Sequence, residues 1–381
     1  VLGWLRRLLG RGAESPPPAP RVPATPGGAS AQPGPGVAAA PGDAQGLDAV
    51  DVDLSEDDPF APFAKALGVP LPSEPPPLEE EAEVEELELA AQVLEHCRRN
   101  KLGPASSPTL SLRILNLVAS PGAEMSELSR IISADPALSA GILNVANSVL
   151  YRGLDEIETV REAVTRLGLD EVGRVAGALS AKSLFNPKLK LELQTFGPRF
   201  TGLYRRAITV ATAAAGLAMR SPGARSDRAY LGGMLHDVGV TVALRSVALL
   251  HLEHQVTLGV GSPRLDRVLD RIHVELGAEL HQEWKLPQYL TVLAVRHHDP
   301  AIPSDAEFVD LHVVRLAAAV HDLKSEAAGA WRASREILQS AGALRLDANG
   351  VRALAAELRQ AEEKVKTTFG LDGAPPAPRR T

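Results

Sequence analysis

The chain has 381 residues, enough for two or three domains of ordinary size, but its composition is uneven. Residues 1–90 hold 16 of the 30 prolines and carry 16 acidic against 5 basic residues, so a formal net charge of −7 resolves into −11 there and about +4 on the remainder. That near-neutral remainder gives no sign of the basic surface a nucleic-acid binder needs, and the single cysteine, Cys97, excludes an intrachain disulfide and fits a reducing compartment.

The first stretch, "VLGWLRRLLGRG", is broken by Arg6 and Arg7 and makes a poor signal-peptide core. No uninterrupted apolar run of about 18 residues follows, so no membrane span is expected and the cytoplasm is the expected location. Residues 1–12 read instead as a short basic amphipathic segment. Trp4, Leu5, Leu8 and Leu9 share one helical face and Arg7 and Arg11 another, a pattern suited to an anionic membrane surface or a partner's groove. Residues 13–89 read as a disordered linker, rich in Pro, Gly and Ala and then acidic, with too little apolar surface to offset its ordering entropy. Within it, "DDPFAPFAKALGVPLP" sets Phe60, Phe63, Leu67 and Val69 among acidic residues. This is either ordinary linker or a small island that docks on a partner or on its own domain.

From Glu85 onward the pattern is helical. Ser107-Pro108 and Asp135-Pro136 are helix starts, each with a capping side chain before a proline whose missing N–H costs nothing at the first helical position. Leu110, Ile114, Leu117 and Val118 follow the first at helical spacing, and Leu138, Ile142, Val145 and Val149 the second. Thr159 can cap a helix ending at Gly168, and Asp170 can open another to about Leu184. Further helices are expected over 199–220, 227–236, 240–258, 264–283, 287–297, 306–323 and 348–368. The last carries a stripe of Val351, Leu354, Leu358, Ala361 and Val365 for packing on the domain or on another copy. No period-2 alternation or hairpin dipeptide stands out, so the class is all-α.

Four stretches carry a family resemblance. "LSRIISADPALSAGILNVANSVLYRGLDEIETVREAVTRLGLDEVGRVAGALS" (Leu128–Ser180) resembles the first half of an HDOD domain, the HD-related output domain of bacterial signalling proteins. "YLGGMLHDVG", "HVELGAELHQEWKLPQYL" and "VRHHDP" follow in the order of its second half, so the likeness runs from about Pro104 to Leu323. It implies an HD-like helical domain over 90–323 in two halves, 90–197 and 198–323, with a helical extension at 324–369 and a tail at 370–381. It also implies kinship with HD and HD-GYP phosphohydrolases, from which HDOD members typically differ by lacking part of the metal set.

The His236-Asp237 doublet is where that kinship is tested. A hydrolytic HD site needs a histidine from an earlier helix, the doublet, and a late aspartate, converging to leave an open coordination position. The doublet is present, and His273, His297 and His298 match the downstream histidines of HD-GYP enzymes. The place of the first histidine falls on or near Arg206, whose guanidinium cannot ligate a metal, and that of the late aspartate on Ala318. Asp310 and Asp322 miss that register, and Val240 stands where HD-GYP enzymes carry a lysine. His236, Asp237, His273, His297, His298 and Arg206 are therefore expected to form a residual pocket, structural or a weak ligand site, in which Arg206 pairs with Asp237 in place of a metal charge.

No catalytic residue, metal or cofactor is expected. The resemblance implies a non-catalytic bacterial signalling or adaptor protein that binds a protein partner. The alternatives are a divergent metal-dependent phosphohydrolase or cyclic-dinucleotide phosphodiesterase, and a pseudo-enzyme that senses a nucleotide ligand. Besides Trp4, Leu5, Leu8, Phe60 and Phe63, the polar pair Asn144 and Asn147 near a helix end is a candidate interaction site, or else satisfies local backbone groups.

Overall fold

In the computed structural model, residues 58–371 are described except 101–109, 111–112, 115–116, 118–123, 152, 154, 188, 257 and 324–326. The segment 1–12 with Trp4, Leu5 and Leu8, the stretch 13–57, the helix start at Ser107-Pro108 and the tail from 372 lie outside the described residues. Among those described, helices account for all regular structure and no strand is present, so the all-α class holds.

The domain begins earlier than residue 90. Helix α1, Ala61–Leu67, opens with Pro62 and ends at Gly68 in the left-handed conformation. Phe60 and Ala64 are buried in the main core, Phe60 stacks on Phe63 with ring centroids 6.0 Å apart, and Arg335 donates to Asp58 at 3.1 Å. The linker expected over 13–89 is thus corrected for its part from Asp58 on, because one fully buried aromatic anchors a segment whose overall composition reads as linker.

Helix α2, Glu80–Arg99, then uses much of the acidic tract. Its Leu89, Ala90, Val93 and Cys97 are buried, and Glu86, only 2 % exposed, is paired by Arg267. Arg98 reaches Glu275 and Glu279 at 2.5 and 2.6 Å, and Arg264 reaches Glu85 at 3.2 Å. Arg264, Arg267, Glu275 and Glu279 all come from one later helix, Pro263–Glu283, so Glu85, Glu86 and Arg98 face it as a charged counter-surface.

The N-terminal bundle comprises α3 (Met125–Ser133), α4 (Pro136–Ala146), α5 (Val160–Leu167) and the start of α6 (Leu169–Phe185), around Ile114, Leu128, Ile132, Ile142 and Val164. Two of its starts are those the sequence marks, while α6 begins at Leu169 after Gly168, with Asp170 inside its first turn. Asp135 accepts from the N–H groups of Ala137 and Leu138 at 2.9 and 3.0 Å, and Thr159 and Glu162 form a reciprocal capping box. The Asn147 amide donates to the Ile157 carbonyl at 2.7 Å and accepts from the Ile157 N–H at 2.8 Å. Asn147 therefore braces the loop after α4 rather than presenting a free surface, whereas Asn144 is exposed.

The 29-residue helix α7, Lys190–Ala218, crosses the expected boundary between residues 197 and 198. It carries Pro198 in its interior, where proline normally ends or kinks a helix. Phe196 and Phe200 on either side are essentially fully buried, and that packing overrides the local preference. Around α7 lie α8 (Ser226–Leu235), α9 (Val238–Leu252), α10 (Pro263–Glu283), α11 (Gln288–Arg296), α12 (Val309–Asp322), α13 (Ala327–Ala343) and α14 (Ala348–Phe369). Helix α13 goes beyond the expected elements, and α13 and α14 are integral rather than an extension: Ile337, Ala341, Val351 and Leu354 are fully buried in the main core. By length and composition Ser226–Leu252 could cross a membrane, but 83 % of its most apolar window is buried inside the fold.

Candidate functional site

The doublet sits at the junction of two apolar helices. His236 caps the C-terminus of α8 and Asp237 is the residue before α9, so both side chains face the point where α7, α10, α11 and α12 converge. Glycines set how closely these helices approach. A Cβ on Gly239 would fall 2.0 Å from the His273 carbonyl oxygen and 2.5 Å from the Gly277 nitrogen, and one on Gly233 would fall 2.6 Å from the Ala211 Cα.

All six residues expected in the pocket come together. Arg206, midway along α7, donates through Nη1 to Asp237 Oδ2 and lies 3.4 Å from His236 Nε2. Its other edge grips Asp322, Nε donating to Oδ1 at 2.8 Å and Nη2 to Oδ2. Asp322 does miss the register of a late metal ligand, but it lies one helical turn beyond Ala318 on the same face, and the long arginine spans the difference. Burial works against the charge on Arg206, yet Asp322 and Asp237 raise its pKa above the ordinary arginine value. Burial likewise works to raise both carboxyls, but His236 and Arg206 hold Asp237 well below the usual carboxylate range, and Arg206 does the same for Asp322.

The second Asp237 oxygen, Oδ1, faces the opposite way. It is buried, accepts no hydrogen bond, and lies 3.0 Å from His297 Nε2 and 3.5 Å from His273 Nε2. Those two nitrogens are 3.3 Å apart. The Nδ1 of His297 is 2.9 Å from the Ala294 carbonyl, and that of His273 is 2.8 Å from the Asp270 carbonyl. His298 turns its Nδ1 to Glu336 of α13 at 2.7 Å. Burial lowers the pKa of His273, His297 and His298 below the ordinary histidine value and raises that of Glu336 to about 7.

Asp237 thus faces two different environments. On one side stands the guanidinium. On the other, Asp237, His273, His297 and His298 each present one ligand atom, all within 4.8 Å of one another. Three imidazoles and a carboxylate suit a divalent transition metal, and the unpartnered Oδ1 is the kind of atom such an ion would satisfy, so these four residues fit one ion. A second ion beside it, where Arg206 lies, does not fit.

Two participants were not expected from sequence. Asp322 enters through the reach of Arg206. Glu336 enters from α13, where its only signal is a charged residue on the face that buries Ala333, Ile337 and Ala341. Trp284, half-buried, packs against both larger core clusters and stacks on His281 with ring centroids 6.4 Å apart.

Comparison with known proteins follows the same lines. The profile of the HDOD domain matches residues 105–300. An uncharacterised protein of Treponema pallidum (strain Nichols) is 26 % identical over 208 residues, 52 % of this chain; the match spans 38 % of that relative's length. Among solved structures, an HDOD domain protein of unknown function from Geobacter sulfurreducens superposes with a TM-score of 0.52 at 22 % identity, over 74 % of this chain and 99 % of its own. A protein of Shewanella amazonensis SB2B, assigned provisionally to the metal-dependent phosphohydrolases, gives 0.53 at 21 %, over 74 % and 99 %. One of Marinobacter aquaeolei VT8, assigned provisionally to signal transduction, gives 0.54 at 23 %, over 76 % and 66 %. At these identities the structures share the fold. With the profile covering half of its length and the motifs assembled around one pocket, the chain belongs to the HDOD domain family.

Proposed function

We propose that the protein is a non-catalytic signalling module that acts by binding a partner protein. The observation carrying this reading is Arg206, held between Asp237 and Asp322 on the side of the doublet where a hydrolytic site needs an open metal. A metal lowers the pKa of bound water because it accepts an oxygen lone pair. A guanidinium has no empty coordination position, and here its donors are already engaged by two carboxylates. Phosphate transfer to water therefore lacks its activated nucleophile. The N-terminal bundle exposes Val149 and Leu150 side by side after α4, apolar surface that a partner would cover.

The test is hydrolysis. Full-length protein supplied with Mn²⁺, Fe²⁺ or Mg²⁺ and a panel of nucleotides and cyclic dinucleotides should release no more phosphate or linear dinucleotide than Asp237→Asn does. Turnover in the wild type that disappears in Asp237→Asn overturns the reading and makes the protein a phosphohydrolase.

A further inference from the structure

The histidine side of Asp237 brings a carboxylate oxygen and two ring nitrogens together at short range. A carbonyl oxygen only accepts, so the Nδ1 atoms of His273 and His297, each set against a backbone carbonyl, carry the ring protons. Their Nε2 atoms then present lone pairs to each other at 3.3 Å, and to Asp237 Oδ1 at 3.5 and 3.0 Å. With both rings neutral, three lone pairs converge with no hydrogen among them. Moving one ring proton to Nε2 leaves that ring's Nδ1 bare against a carbonyl oxygen, so the cluster is balanced only by an added positive charge: a second proton on one ring, as in a His297–Asp237 ion pair at 3.0 Å, or a bound cation. Arg206 gives no help, since it approaches the other carboxylate oxygen.

We propose that Asp237, His273, His297 and His298 bind a single first-row transition-metal ion, with Arg206 standing in place of a second cation and Glu336 orienting the His298 ring. The separations among Asp237, His273 and His297, 3.0–3.5 Å, agree with one centre, since ligands about 2.0–2.2 Å from a zinc-like ion lie about 3–3.5 Å from one another, and His298 completes a set within 4.8 Å. The donor set of three imidazoles and one carboxylate favours zinc, iron, cobalt or nickel over magnesium, which prefers an all-oxygen shell and keeps several waters. Glu336 acts as an outer carboxylate on a metal-bound histidine usually does, engaging the far ring nitrogen and leaving Nε2 for the ion. The ion ties α10, α11 and α13 to the start of α9. It is structural or regulatory rather than hydrolytic, and the site stands whether or not a partner protein is found.

Tag-free full-length protein, stripped with a chelator and titrated with Co²⁺, tests this directly. Expected are visible d–d bands that saturate at one equivalent per chain, their displacement by Zn²⁺, and a melting temperature raised by Zn²⁺. Glu336→Ala should weaken binding about 10–100-fold, and His297→Gln should abolish the bands. His297 is buried and its variant can fail to fold, so His298→Gln, at a side chain 21 % exposed, provides the second loss-of-ligand test and should also change the spectrum. Absence of Co²⁺ bands in the wild type, or an unchanged spectrum in folded His298→Gln, overturns the proposal. Neither result depends on whether the protein hydrolyses a nucleotide.

Discussion

Arg206 and Asp322 form a forked pair across the site, with Nε and Nη2 of the arginine donating to the two carboxylate oxygens. The same guanidinium holds Asp237, so one side chain of α7 ties the start of α9 to the end of α12. Side-chain exposures of 17, 16 and 27 % leave these groups little water to fall back on.

Arg206→Met should therefore cost about 3–5 kcal/mol of unfolding free energy at neutral pH, because two carboxylates lose their shared cation. Both have folded pKa values below those of the unfolded chain. Their contribution is complete above about pH 4, the unfolded value, and is lost as pH falls toward the folded values. Urea denaturation at several pH values checks both points. The gap between wild type and variant should be wide at pH 7 and narrow on acidification.

Much of this arrangement is legible in the sequence, for local reasons. Helix starts at Asp135 and Thr159 show because capping chemistry sits within four residues, and the apolar stripe of α14 shows because its period is 3.6. The doublet, Arg206 and the three downstream histidines come from ordered motifs. What stays hidden depends on reach and on single residues. The register of Asp322 counts against it as a metal ligand, where the bond is short, but not as the partner of a long arginine. Glu336 lies in "REILQ", which resembles no motif. Proline and acid content over 58–89 mask the contribution of Phe60, and the aromatic packing beside Pro198 has no local signature.

Phe60 gives a direct test of the early domain start. Removing its ring from a fully buried position should cost about 3–5 kcal/mol in Phe60→Ala. Phe63→Ala, at a partly exposed position on the same segment, should cost clearly less. Equal and negligible effects in thermal or urea melts would mean that the segment does not pack on α14.

His281 supplies a pH dependence outside the cluster. It is fully buried, its Nδ1 has no partner, and burial pushes its pKa down to about 4. The unfolded chain takes up a proton near pH 6.5 while the folded protein resists until about pH 4, so stability present above the unfolded value is lost as pH falls between them. The shift corresponds to about 3 kcal/mol. Wild type should lose roughly that much more than His281→Leu between pH 7 and 4, read as the change in their stability difference. Parallel pH profiles would show that His281 is not held neutral.

Two glycines separate close approach from mere presence in a helix. The Cβ of Gly239→Ala would meet the backbone of His273 and Gly277, which cannot turn aside as a side chain would. Helices α9 and α10 would have to part directly behind Asp237 and His273, so this variant should be strongly destabilised and lose the spacing of the site. Gly202→Ala is the control: within α7, nothing lies within 4 Å of the added carbon. There the substitution removes backbone freedom from the unfolded chain and should stabilise by about 0.5–1 kcal/mol. Melting curves of the two variants should move in opposite directions, and a Gly239→Ala protein as stable as wild type would mean that the helices can separate without cost.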